Sequence, residues 1–106
     1  MLSQNDQFIA KQLKDRLQKI TLLECFVVYG SRARGDSSPD SDLDIYIEVP
    51  IITPELRRNI SELAWEVGFN NGVIISTFVV TPMDIKEGPV GANPLVKTVK
   101  SEGIPV

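Results

Sequence analysis

The sequence predicts a mixed α/β fold of the α+β type, a mixed β-sheet with helices packed on it. Two observations carry that expectation. Helical and strand periodicities alternate along the chain, and the strands are set apart by helices or long loops. The apolar share, 42% of 106 residues, is enough for one core and too much for a disordered chain.

The expected order of elements is α-β-β-α-β-α-α. Residues 4–20 carry Ile9, Leu13, Leu17 and Ile20 at spacings of four, four and three, with Phe8 beside them, which predicts an amphipathic helix. Glu24 to Tyr29 reads ECFVVY, a short apolar run rich in valine and aromatics. It predicts a buried strand that stops at Gly30-Ser31, with Cys25 as a packing residue. From Gly35 to Ser41 every residue is a turn or loop type. Asp42 to Val49 then alternates strictly, with Leu43, Ile45, Ile47 and Val49 on one face and Asp42, Asp44, Tyr46 and Glu48 on the other.

Thr53-Pro54 reads as an N-cap followed by proline at the first helical position. The helix behind it, over 54–69, repeats Leu56, Ile60, Leu63 and Val67, and Trp65 is expected at the edge of its core face. Asn71-Gly72 turns the chain into a third strand, Val73 to Val80. Thr81-Pro82-Met83-Asp84 opens a short helix in which Asp84 is a helix-start acid. From Gly88 onward a loop, a last helix over Pro94–Glu102 and an extended end are expected.

A length of 106 residues suits one small domain, with no room for a catalytic and a separate substrate domain. One cysteine excludes an intramolecular disulfide framework, and the absence of histidine removes the usual zinc ligand sets. No apolar run approaches a membrane span, and the N-terminal stretch has no uninterrupted apolar segment of a signal peptide. A cytoplasmic location away from membranes is therefore expected. Without histidine, the commonest general base near neutral pH is missing, so chemistry falls to carboxylates, hydroxyls, amines or a bound metal. The net charge is −3, and among the scattered basic residues only Arg57-Arg58 are adjacent. Nucleic-acid binders carry a basic face because phosphate neutralisation supplies most of their affinity. Direct nucleic-acid binding is not expected; a small phosphate ligand or a protein partner fits better.

The segment from Gly30 to Asp44, GSRARGDSSPDSDLD, meets the needs of phosphate chemistry. Gly30 lets the backbone approach a phosphate closely, exposed amides at a helix start attract anions, and Ser31 adds a hydroxyl donor. Asp42 and Asp44 lie two apart on a strand and so point the same way, roughly 6–7 Å apart at the backbone. Two acids on one face repel unless a cation sits between them. Magnesium suits such a pair, since it is usually held by one or two carboxylates plus substrate phosphates. For Arg32 and Arg34, pairing with acids or solvation is the expected role, ahead of phosphate neutralisation. Three competing motifs fail. The P-loop lysine position holds Asp36, the EF-hand glycine and glutamate positions hold Ile45 and Ile51, and no G-x-G-x-x-G occurs.

Gly30-Ser31, ten residues, then Asp42-Leu43-Asp44 resembles the signature of the DNA polymerase β-like nucleotidyltransferase superfamily. Tyr29 before it, Arg34-Gly35 inside it and Ser41 ahead of the first acid agree. The size, the element order and the tail from Pro94 to Ile104 are similar to the minimal nucleotidyltransferases of that superfamily, so the resemblance spans nearly the whole chain. It implies a palm-like nucleotidyltransferase fold forming one minimal domain over residues 1–106. It also implies magnesium-dependent transfer of a nucleoside monophosphate, AMP from ATP or another nucleoside triphosphate, to a hydroxyl acceptor. Gly30 and Ser31 would hold the triphosphate, while Asp42 and Asp44 would be the catalytic, metal-binding acids. Many minimal members act as antitoxins on a HEPN-domain partner, which makes a tyrosine of such a helical protein the implied acceptor. One departure stands out: active relatives have a third carboxylate on the next core strand, and here no acid occurs between Glu66 and Asp84. The equivalent position is Ile74 or Ser76. Glu48 lies four residues beyond Asp44, ~13 Å along the strand, too far to join the same site. The alternative expectation is thus a catalytically impaired module of the same fold that binds a nucleotide or a partner.

Overall fold

The computed structural model describes residues 2–89 and 93–106. The loop expected between Gly88 and Asn93 falls partly on residues 90–92, outside the described residues. Helix α1, Gln4–Leu17, starts where Ser3 accepts a hydrogen bond from the Asp6 amide, and it buries Ile9, Ala10, Leu13 and Leu17. It ends three residues earlier than the apolar spacing suggests. The amides of Gln18 to Thr21 bond back onto Lys14, Arg16 and Leu17 in a closing turn, which leaves Ile20 46% exposed.

Strand β1, Cys25–Tyr29, is followed at once by a single helical turn, α2, Ser31–Arg34. After a loop comes β2, Leu43–Glu48, then α3, Pro54–Asn71, and β3, Ile75–Val80. Short helix α4, Pro82–Glu87, precedes α5, Pro94–Glu102, and a two-residue strand β4, Ile104–Pro105. The four strands form one mixed sheet in the order β3-β2-β1-β4, with β1 antiparallel to β2 and β4, and β2 parallel to β3. The parallel pair follows from α3, since a parallel return needs a crossover of a dozen or more residues.

Strand β3 starts two residues later than its apolar run, because the Val73 amide bonds to the Gly68 carbonyl and closes the end of α3. Gly72 makes that closure in the left-handed region, with φ +71°.

The two faces of the sheet differ in kind. Leu43, Ile45 and Ile47 of β2 join Phe26 and Val28 of β1 beneath Ile9, Leu13 and Leu17 of α1 and Ile60, Ala64 and Val67 of α3. The opposite face has a smaller apolar cluster of Tyr29, Tyr46, Val80 and Val99, the last from α5. Trp65 is not at the edge of the core: it is 68% exposed and stacks on Phe69, one turn further along α3, at a ring separation of 5.1 Å. Among the described residues no helix is long and apolar enough to cross a membrane.

Candidate active site

The end of β1 and the start of β2 form one structural unit. Tyr29 lies opposite Asp44 in the antiparallel register, and Gly30 follows at φ +79° and ψ −158°, a region open essentially to glycine alone. Space imposes glycine a second time. A Cβ at residue 30 would stand 2.5 Å from Asp44 Oδ2. The chain then turns through α2, where the Arg34 amide bonds to the Gly30 carbonyl and the Gly35 amide to the Ser31 carbonyl. The first amides of that turn have no partner within it. Ser31, half-buried, is its first residue.

Asp44 is half-buried and Asp42 is exposed, both on the sheet face away from the main core. Burial pushes the Asp44 carboxyl above the usual aspartate range, and the nearby charge of Asp42 pushes it further. Arg32 and Arg34 pull it partly back. The same environment raises the Tyr29 phenol, first through burial and then through the Asp44 charge. Gly30, Asp42 and Asp44 are therefore brought together, with Ser31 on the adjoining turn.

Several other acids of the chain already have protein donors. Glu48 accepts a hydrogen bond from the Tyr46 hydroxyl at 2.9 Å. Asp84 accepts from the Thr81 amide at 3.1 Å in a capping box, and Asp36 and Glu102 both face Arg34. Among the described residues no side chain or backbone amide hydrogen-bonds to the Asp42 or Asp44 carboxylate, and Arg32 and Arg34 offset only part of the unfavourable environment of Asp44. Two free carboxylates with no nitrogen or sulfur donor beside them suit a hard, oxygen-seeking cation such as magnesium. They fit it as a two-carboxylate platform. Among the described residues no group of three metal-type side chains converges. On β3, the register partner of Asp44 is Ser76, and the Ile74 carbonyl accepts from the Leu43 amide at 2.9 Å. The residue beside Asp44 on the neighbouring strand is thus a serine, with an exposed isoleucine two residues before it.

Arg32 is acid-paired, as its expected role required, but its partner had no signal in the sequence. Its guanidinium meets Asp6 of α1, 26 residues away, at 2.9 Å. Arg34 pairs with Asp36 and Glu102 at the surface. Beside the loop that leads into Asp42 runs an open groove of about 530 Å3, lined by Arg32, Pro39, Asp40, Ser41, Phe69 and Ile74 among others.

A glycine-led turn set against Asp44 and Asp42 at the start of β2, on a mixed sheet backed by helices, defines the class as an α/β domain with a two-carboxylate candidate site. The nucleotidyltransferase domain family matches residues 9–104, and the chain belongs to that family. No curated protein matches it closely enough to count as a relative. Among solved structures it is similar to a chain described as "Crystal structure of the toxin-antitoxin with AMP-PNP". The identity is 22%, the match covers 95% of this chain and 71% of that one, and the TM-score is 0.62. At that identity the likeness is one of fold, and the fold is the nucleotidyltransferase fold expected from the sequence.

Proposed function

We propose that this chain is a magnesium-dependent nucleotidyltransferase that moves AMP from ATP to a hydroxyl on a protein partner. The observation that carries the reading is the pairing of Gly30 with Asp44, beside Asp42, in a chain of the nucleotidyltransferase family. Gly30 keeps the backbone low enough for a triphosphate to approach, and Ser31 with the first amides of α2 binds its oxygens. Asp42 and Asp44 hold magnesium, which when bound supplies charge neutralisation along the triphosphate. The acceptor oxygen bonds to the α-phosphorus, pyrophosphate leaves, and the hydroxyl proton is released. The crystallised toxin-antitoxin with AMP-PNP supports both a nucleotide as ligand and a toxin as partner. We take that partner to be a helical, HEPN-type protein met in the cytoplasm and its acceptor to be a tyrosine.

The test is transfer of label from α-labelled ATP to the copurified partner with magnesium present. Asp42→Asn should lower transfer by more than about 100-fold, beyond what loss of an outer-shell contact to a metal costs. Undiminished transfer in a folded Asp42→Asn protein would remove Asp42 from the mechanism.

Ser76 opposite Asp44 favours a second reading, a module that binds nucleotide or partner with little turnover. Under it, Ser76→Asp or Ile74→Asp creates transfer where the parent chain has almost none. If both variants bind nucleotide and stay inert, the missing acid is not what limits the site.

A further inference from the structure

Between the Gly30 turn and the Asp42-Asp44 pair lies a side chain that bonds to Asp6 and to the loop backbone. Arg32 follows Gly30 by two residues and its guanidinium reaches across the loop to the backbone just ahead of Asp42. Nε donates to the Ser41 carbonyl at 3.0 Å, and Nη2 donates to the same oxygen at 2.7 Å and to the Pro39 carbonyl at 3.2 Å. Nη1 donates to Asp6 Oδ1 at 2.9 Å. Both side chains of the ion pair are largely buried, at 11% exposed for Arg32 and 7% for Asp6. Every nitrogen of the guanidinium thus has a partner, and four of its five N–H groups are used within the protein. The loop has a turn of its own, in which the Ser41 amide bonds to the Ser38 carbonyl and the Ser38 amide to Ser41 Oγ. The loop residues from Gly35 to Asp40 are exposed. The Asp36 amide ties the start of the loop to the Ser31 carbonyl and the Leu43 amide ties its end to Ile74, and between them Arg32 holds the Pro39 and Ser41 carbonyls.

We propose that Arg32 is a positioning residue: anchored by Asp6, it grips the Pro39 and Ser41 carbonyls and so sets Asp42 beside Asp44. The proposal rests on the reading of Asp42 and Asp44 as the cation-holding pair. It explains why α1, remote from that pair in sequence, is part of the site, and why an arginine serves. A lysine can answer Asp6 with its charge but lacks the planar fork that spans two carbonyls and a carboxylate at once.

The test is Arg32→Lys, which keeps a cation opposite buried Asp6. Amide exchange is followed at Ser41, and manganese binding without nucleotide is read from water-proton relaxation. The expected results are exchange at Ser41 faster by about tenfold or more and manganese affinity weaker by about tenfold or more, the scale of an outer-shell loss. A residue that merely stabilises the fold would lower the melting temperature and leave the affinity of the folded protein unchanged. Unchanged Ser41 exchange overturns the proposal, as does unchanged manganese affinity in a protein whose binding needs Asp42. Asp42→Asn separates the two ideas. If it binds manganese like the parent chain, the cation reading fails, and the Ser41 exchange alone decides the role of Arg32. Should Arg32→Lys not fold, Asp6→Asn, which keeps an oxygen facing Nη1, is read the same way, with a smaller shift in the same direction.

Discussion

The two ends of β2 carry the same kind of residue on the same face and use it in opposite ways. At the far end, Glu48 is satisfied within the protein by the Tyr46 hydroxyl, whose own proton is held more tightly through burial and the Glu48 charge. At the near end, Asp44 has a glycine pressed against it, a second acid beside it and no donor among the described residues. A carboxylate with its own donor is part of the fold. One that is half-buried, repelled and unsatisfied costs stability, and a site for a cation is the simplest reason for a fold to carry it.

The comparison breaks most sharply at Gly30. Gly30→Ala forces a side chain into a positive-φ region and into the Asp44 carboxylate, and should destabilise the fold by about 2 kcal/mol while abolishing nucleotide binding. Urea unfolding and calorimetry check the two effects. A variant with parental stability would show that the close approach is not required.

Tyr46→Phe acts at the other end. Loss of the donor to Glu48 should cost about 1 kcal/mol in urea unfolding. Nucleotide binding should be unchanged; if it weakens, the two ends of the strand are not separate in function.

The smallest effect is a pH dependence. Because the folded state raises the Asp44 carboxyl above its ordinary value of 3.8, the folded protein binds that proton more tightly than the unfolded chain. Its contribution to stability is greatest below the ordinary value and declines as pH rises through the higher folded value. Asp44→Asn removes the decline. In chelator, the variant should melt at or slightly above the parent at neutral pH, with a flatter acid limb. A clearly lower melting temperature would mean that Asp44 has a stabilising partner.

Much of this was legible in the sequence because it depends on local period. Strict alternation from Asp42 to Val49 separates core from site on β2, and the N-caps at Thr53 and Thr81 with prolines behind them start α3 and α4 where expected. The spacing of Gly30-Ser31 from Asp42 and Asp44 marks them as candidate site residues, and the antiparallel register brings Gly30 onto Asp44. What depends on contact between distant segments was not legible. Nothing near Asp6 signals that it meets Arg32, and apolar Trp65 sits one position from Ala64 of the buried stripe of Ile60, Ala64 and Val67, roughly 100° round the helix, which turns it to solvent. Val73 looked like strand, but its amide is taken by the end of α3. The place of β4 beside β1 likewise comes from tertiary packing, since two residues carry no period.

The central claim is that Asp42 and Asp44 are left unsatisfied in order to hold a cation for a nucleotide. Calorimetric titration of ATP, once with excess magnesium and once with chelator, tests it directly. The expected result is binding that needs magnesium and disappears in Asp42→Asn and in Asp44→Asn, both of which remain folded. Binding that persists in chelator, or that survives both substitutions, would contradict it.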